Sequence, residues 1–135
     1  MQNSIYKVGA IIFNDRKQIL VVRKLFKDRT EFIIPGGKQE KDENDEQTLS
    51  RELKEELGIS VKAFSFFGRF NEQAIFENIP LVMSVYYVDI DGQPSPQSEI
   101  KEYVWIDRDY KSKGYLLGSV LSKHIIPTLI SRGQM

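Results

Sequence analysis

Cysteine is absent from the 135 residues of this chain, which excludes a disulfide framework, thiolate metal sites and a cysteine nucleophile. Net charge is absent too. Nineteen Lys and Arg offset nineteen Asp and Glu, so no global field draws the molecule to nucleic-acid backbones or anionic membranes, and any polyphosphate has to be handled locally. There is no repeat, linker or low-complexity tract. The opening run Met1-Gln2-Asn3-Ser4-Ile5-Tyr6-Lys7 lacks a basic start followed by a long apolar segment, and residues 8–13 are too few to serve as one. The expected compartment is therefore the cytoplasm, with neither membrane nor nucleic acid as partner. By length the chain reads as a single domain over residues 1–135, able to bury about two-thirds of its unfolded surface without staples.

What is present is a chain of short β-rich runs and two helical ones. Residues 5–13 are aliphatic and predict a strand, then a polar turn at Asn14-Asp15-Arg16, with 18–25 as its hairpin partner. Residues 31–34 predict a short strand ending in a Pro35-Gly36-Gly37 turn, where glycine allows close backbone approach. A helix is expected from Asn44 or Asp45 to a stop at Gly58. Residues 61–70 and 81–90 predict strands, the second closing at an Asp91-Gly92 turn, while 71–80 carry no clear pattern. Pro94 and Pro96 mark 93–98 as a surface loop, Glu99 and Glu102 precede a strand at 103–106, and 116–130 form a helix that Pro127 kinks or divides. Strands interleaved with two helices imply an α/β sandwich.

Residues 37–59 hold the chemistry. They read Gly37, five residues, Glu43, seven residues, then Arg51-Glu52-Leu53-Lys54-Glu55-Glu56-Leu57-Gly58-Ile59. At about 100° per residue, Leu49, Leu53 and Leu57 make one apolar stripe, Glu52 and Glu56 line its edge, Glu55 lies just beyond, and Arg51 and Lys54 point elsewhere. Carboxylates four residues apart repel by roughly 0.2–0.5 kcal/mol, and crowding them beside a buried stripe adds desolvation. A hard cation such as Mg²⁺, which binds through a few carboxylates plus water and substrate phosphate, offsets both. A solvated acidic helix is the competing reading, but it leaves the coincidence of Pro35-Gly36-Gly37, Glu43 and Gly58 unexplained.

The spacing closely resembles the signature of the Nudix hydrolases, which use divalent metal to cleave nucleoside diphosphates linked to another moiety. Phe32-Ile33-Ile34-Pro35-Gly36-Gly37-Lys38-Gln39-Glu40 also looks like the strand and turn leading into that signature. Residues 99–106 are similar to the family's acidic loop and tryptophan strand. The resemblance implies a Nudix-type α/β/α sandwich with a mixed β-sheet and a loop-helix-loop catalytic motif at 37–59. It implies that Glu52, Glu55 and Glu56 bind Mg²⁺ or Mn²⁺, with the Gly37 carbonyl as an extra ligand. Arg51 and Glu43 would orient the acids, and Glu99 stands where some members supply a further ligand or base. Because a pyrophosphate link is shielded by its own anionic oxygens, catalysis needs cations and a water deprotonated in place. Glu52 is the first candidate to activate that water and Glu99 the alternative.

Arg23, Lys38 and Arg69 are candidates to meet phosphate, although isolated basic residues are usually solvated. His124 reads as a surface or packing residue, and Phe64, Phe66, Phe67 and Phe70 as core rather than base-stacking groups, Phe70 being the outside candidate. Extra motifs of members acting on coenzyme A, NADH, ADP-ribose or dinucleoside polyphosphates are not found, including any Ser-Gln-Pro-Trp run after Ile59. The chain thus most resembles nucleoside triphosphate pyrophosphohydrolases, with a small nucleotide as substrate and a monomer or homodimer as the assembly. Two alternatives stand: a hydrolase of ADP-ribose or nucleoside diphosphate sugars, and a nucleotide-binding module with little turnover. The complete Glu52, Glu55 and Glu56 set favours an enzyme over the binding module.

Overall fold

Alternation in the first two strands decides the layering. In β1 (Ile5–Ile11) and β2 (Ile19–Lys24) apolar residues face both ways, so each strand must be covered on both sides. The computed structural model describes residues 4–25, 30–73 and 79–135; the opening residues 1–3 and residues 74–78 of the unassigned stretch lie outside that description. After β1 and β2 come β3 (Gly36–Lys38), α1 (Asp45–Leu57), β4 (Ser60–Gln73), β5 (Pro80–Asp91) and β6 (Ile100–Ile106). A π-helical turn, Val120–Ile125, then runs into α2 (Ile126–Ser131). Four strands form a mixed sheet in the order β3-β1-β5-β4, with β1 parallel to β5 and the other pairs antiparallel, while β2 and β6 pair separately.

Two apolar cores flank these strands. Val8, Ala10, Ile12, Leu20 and Val22 pack under Leu49, Leu53 and Leu57 of α1. Ile11, Ile19, Val21 and Val85 pack under Leu121, Ile125, Ile126 and Leu129. The α/β/α sandwich is thereby built, helices on opposite faces of a mixed sheet.

Several local expectations are corrected. Residues 5–13 and 18–25 do not form a hairpin along their length: a Phe13–Ile19 bridge and a Leu20 N–H to Ile12 carbonyl bond of 3.0 Å close the turn, and the strands then part. The reason is that both edges of β1 are already taken by β3 and β5. Within 31–34 only Phe32 and Ile33 make isolated bridges, to Leu117 and Val22. Gly36 and Gly37 are strand rather than turn. A side chain at Gly36, where φ is 139°, would place its Cβ 2.1 Å from the Val8 carbonyl oxygen, so glycine there permits strand pairing. The helix expected over 116–130 becomes regular only at Ile126, one residue before Pro127, which has no N–H for the carbonyl four residues back. Of the four phenylalanines, Phe67 is buried, whereas Phe64 and Phe66 are 39% and 55% exposed against the Tyr86 ring. Among the described residues no helix is long and apolar enough to cross a membrane.

Candidate active site

Helix α1 is fixed at both ends before its acids are placed. Asn44 caps it in a reciprocal pair with Gln47, its side chain accepting from the Gln47 N–H at 2.8 Å and its own N–H reaching the Gln47 side chain at 2.9 Å. Gly58, at φ 67°, ends it in the left-handed conformation. With Leu49, Leu53 and Leu57 buried against the strands, Glu52 and Glu56 are turned toward β3.

Glu56 is only 2% exposed. Its Oε1 accepts the Gly36 N–H at 3.0 Å, while Oε2, also shut off from solvent, has no hydrogen-bond partner. Burial pushes its carboxyl up to about 7, against the opposing pull of Lys24. Burial also raises the pKa of Glu52, which Arg51 counters. Glu52 lies so close to Gly37 that a Cβ there would stand 2.5 Å from the Glu52 carboxyl carbon. Glu55 is 54% exposed at the rim.

Arg51 does not point away, as the helical wheel alone suggests. Its guanidinium folds along α1 and donates to Glu43 from Nε at 2.7 Å and Nη2 at 3.0 Å, to Glu52 from Nη1 at 2.9 Å, and to the Lys38 carbonyl from Nη2 at 2.9 Å. Glu40 and Glu55 each stand 3.5 Å from Nη1. The planar fork thus holds two carboxylates directly. Hydrogen bonding to Arg51 draws the Glu43 carboxyl down to about 2, and Glu43 reciprocally raises the Arg51 pKa.

Glu99 comes to the same edge from the loop before β6. Its carbonyl accepts the Leu25 N–H at 2.9 Å, and its carboxylate lies 3.3 Å from Lys24 Nζ. Lys38 is exposed beside the cluster. Arg23 faces the other way, donating to Glu102 and lying 5.9 Å from the centre of the Phe32 ring. Arg69 is on β4, at the opposite edge of the sheet from β3, where its Nε donates to Ser84 Oγ at 3.0 Å. The structure gathers Gly37, Glu43, Arg51, Glu52, Glu55, Glu56 and Glu99, sets Lys38 at their rim, and leaves Arg23 and Arg69 engaged elsewhere. His124 stacks on Phe70 at 4.9 Å, with its Nε2 3.4 Å from Glu72 Oε1, far from this cluster in the chain's layout because it rides on the opposite helical layer.

Lys24 was missed by sequence reasoning. Its Nζ lies 3.6 Å from Glu56 Oε2 and 3.3 Å from Glu99 Oε1. Strand alternation carried the signal, for Leu20, Val22 and Lys24 share the face toward α1 whereas Arg23 continues the face of Ile19 and Val21.

The donor set fits a hard divalent cation. All side-chain donors are carboxylates, and the buried, unbonded Glu56 Oε2 is the kind of atom that a cation would satisfy. Among the described residues no three acidic or histidine side chains converge closely enough to enclose an ion alone, so water and phosphate oxygens would complete the shell, as Mg²⁺ prefers.

Comparison with known proteins places this geometry. A model of the NUDIX domain matches residues 4–111. The chain is 33% identical over 116 residues to an 8-oxo-dGTP diphosphatase of Haemophilus influenzae, covering 80% of each protein. It is 34% identical over 125 residues to the m7GpppN-mRNA hydrolase of Saccharomyces cerevisiae, where it covers 84% of this chain but spans only 13% of the yeast protein. Among solved structures, MutT studied from Aliivibrio salmonicida and Vibrio cholerae superposes with a TM-score of 0.77 at 28% identity, covering 96% of this chain and 99% of that one. The MutT protein of Methanosarcina mazei, at a TM-score of 0.82 and 21% identity over 99% and 98% of the two chains, shares the fold.

Proposed function

Since this chain belongs to the NUDIX hydrolase family, whose members act on pyrophosphate bonds, we propose that it hydrolyses a nucleoside triphosphate to the monophosphate and pyrophosphate, using Mg²⁺ or Mn²⁺ bound by Glu52, Glu55 and Glu56. The observation that carries this reading is Glu56 itself. Its carboxylate is buried to 2% exposure, and its Oε2 has no hydrogen bond and only the Lys24 ammonium at 3.6 Å, a costly arrangement that a divalent cation would relieve. The bare Cα of Gly37 leaves room for the Glu52 carboxylate, and the Gly37 carbonyl would add a further ligand on this reading.

When bound, the cation neutralises phosphate oxygens and acidifies water. The chain's own residues do the rest. Arg51 locks Glu52 in one rotamer through the 2.9 Å bond, leaving its second oxygen to orient and deprotonate the attacking water. Glu99, more exposed and borne on a loop, is the alternative base. Lys38, at the rim, is better placed to meet phosphate than Arg23 or Arg69, which are already engaged.

The substrate class rests on the relative of similar length, an 8-oxo-dGTP diphosphatase that the chain covers to 80%, more than on the cap hydrolase it covers to 13%. An ADP-ribose pyrophosphatase of Methanocaldococcus jannaschii, 31% identical over 74% of this chain, keeps ADP-ribose within the test. A Mg²⁺-dependent turnover screen over ordinary and 8-oxo nucleoside triphosphates, ADP-ribose, nucleoside diphosphate sugars and dinucleoside polyphosphates decides. Expected is release of pyrophosphate from a triphosphate, abolished by EDTA. Glu52→Gln should lower kcat on the order of 10³-fold, and Glu99→Gln roughly 10- to 100-fold. Nucleotide binding with no metal-dependent turnover of any substrate would instead make the protein a binding module.

A further inference from the structure

Two cations divide the acids of this site between them. Arg51 serves Glu40, Glu43, Glu52 and Glu55, and Lys24 serves Glu56 and Glu99. We propose that Lys24 is a positioning residue of the hydrolytic site: its ammonium ties the carboxylate of Glu99, on the loop before β6, to Glu56 on α1. The inference rests on the hydrolase reading above and names a residue that the glutamate motif does not contain.

Lys24 is the last residue of β2. Pairing of β2 with β6 shifts register between Arg23 and Lys24, so Arg23 opposes Glu102 while Lys24 opposes Ile100. The unmatched residue, Lys101, lies on β6, so β2 keeps its alternation and Lys24 stays on the face of Leu20 and Val22. The next residue, Leu25, donates its N–H to the Glu99 carbonyl at 2.9 Å, and Gln97 donates its own to the Glu56 carbonyl at 2.9 Å. The loop's main chain is therefore pinned to both β2 and the end of α1.

Its functional side chain is not held by those bonds. Glu99 is 56% exposed, and the ion pair with Lys24 is the contact that distinguishes an inward carboxylate from one free in solvent. Lysine suits this bridge, because a compact ammonium with three donors can face two carboxylates that are not coplanar, whereas a guanidinium fork prefers one.

A double-mutant cycle tests the role. Lys24→Met should lower kcat about tenfold, the scale expected when a reacting group is misplaced rather than lost, while KM for the nucleotide moves less than about threefold. Lys24→Arg should recover part of that rate by keeping a charged donor near Glu99. If Lys24 acts through Glu99, Lys24→Met combined with Glu99→Gln is no slower than the slower single variant. Mn²⁺ affinity without nucleotide, read from the metal-induced rise in melting temperature, should stay as tight or tighten, since a competing cation has been removed. Multiplicative losses in the double variant, or weakened Mn²⁺ binding with kcat intact, would overturn the proposal. Lys24→Gln is carried in parallel, so a folding defect peculiar to methionine does not decide the outcome. Wild-type turnover and its loss in Glu56→Gln report on the hydrolase reading separately. An inactive wild type removes both readings, whereas multiplicative losses in an active enzyme remove only the part given to Lys24.

Discussion

At the scale of single residues, the site is organised by how charge is shared rather than by how many acids it contains. Arg51 meets Glu43 through two nitrogens and Glu52 through a third, a planar arrangement that an ammonium cannot reproduce. Arg51→Lys keeps the charge and loses the fork. We expect kcat to fall by at least about tenfold, with the melting temperature changing little by comparison. Steady-state rates beside a thermal melt check it, and unchanged turnover would reduce Arg51 to a surface ion pair.

At the scale of elements, α1 and β3 are one device, for the helix supplies carboxylates and the glycine strand brings backbone to meet them. Gly36 donates to Glu56 while its bare Cα lets Val8 approach. Gly36→Ala therefore strikes pairing and site together and should cost on the order of 3 kcal/mol, for the clash is with backbone and the φ is unfavourable to alanine. Asn44→Ala removes only the helix cap and should cost about 1 kcal/mol, a shift of about 4 °C in melting temperature, with turnover retained. Calorimetry of the two variants beside wild type tests the contrast. Equal losses would mean that Gly36 is tolerated by relaxation of β1.

At the scale of the molecule, the buried acids make stability depend on pH and, on the proposed reading, on metal. Burial holds Glu56 at about 7 in the folded chain against an ordinary 4.5. Between those values the folded state keeps a proton that the unfolded state has lost, so stability from this group falls as pH rises through the window and is flat on either side. Glu43, held at about 2, acts only below that window, where its contribution is lost as pH falls. In EDTA, the melting temperature of wild type relative to Glu56→Gln should therefore decline from pH 5 to pH 7.5. Mg²⁺ should reverse the decline, with a larger stabilisation at pH 8 than at pH 6, because the metal must displace that proton. Parallel pH profiles that never diverge, with and without Mg²⁺, would remove Glu56 from the metal set.

The sequence by itself determined the helix that carries the acids. Asn44, the leucine stripe and Gly58 are local signals, so α1 was legible to the residue, and with it the side on which Glu52 and Glu56 stand. The aliphatic runs at 5–13 and 18–25 likewise made β1 and β2 readable as strands. Pairing partners were not legible, because whether 18–25 pairs with β1 depends on which strands already occupy its edges, a fact of the whole sheet. For the same reason Gly36 and Gly37 looked like a turn until β1 was placed beside them. Arg51 seemed to point away because a helical wheel gives directions at Cβ and ignores the reach of a long side chain. Only the tertiary structure could set Lys24 between Glu56 and Glu99, three residues from three separate elements, since contact over such separations is decided by how the layers close and not by any local run of sequence.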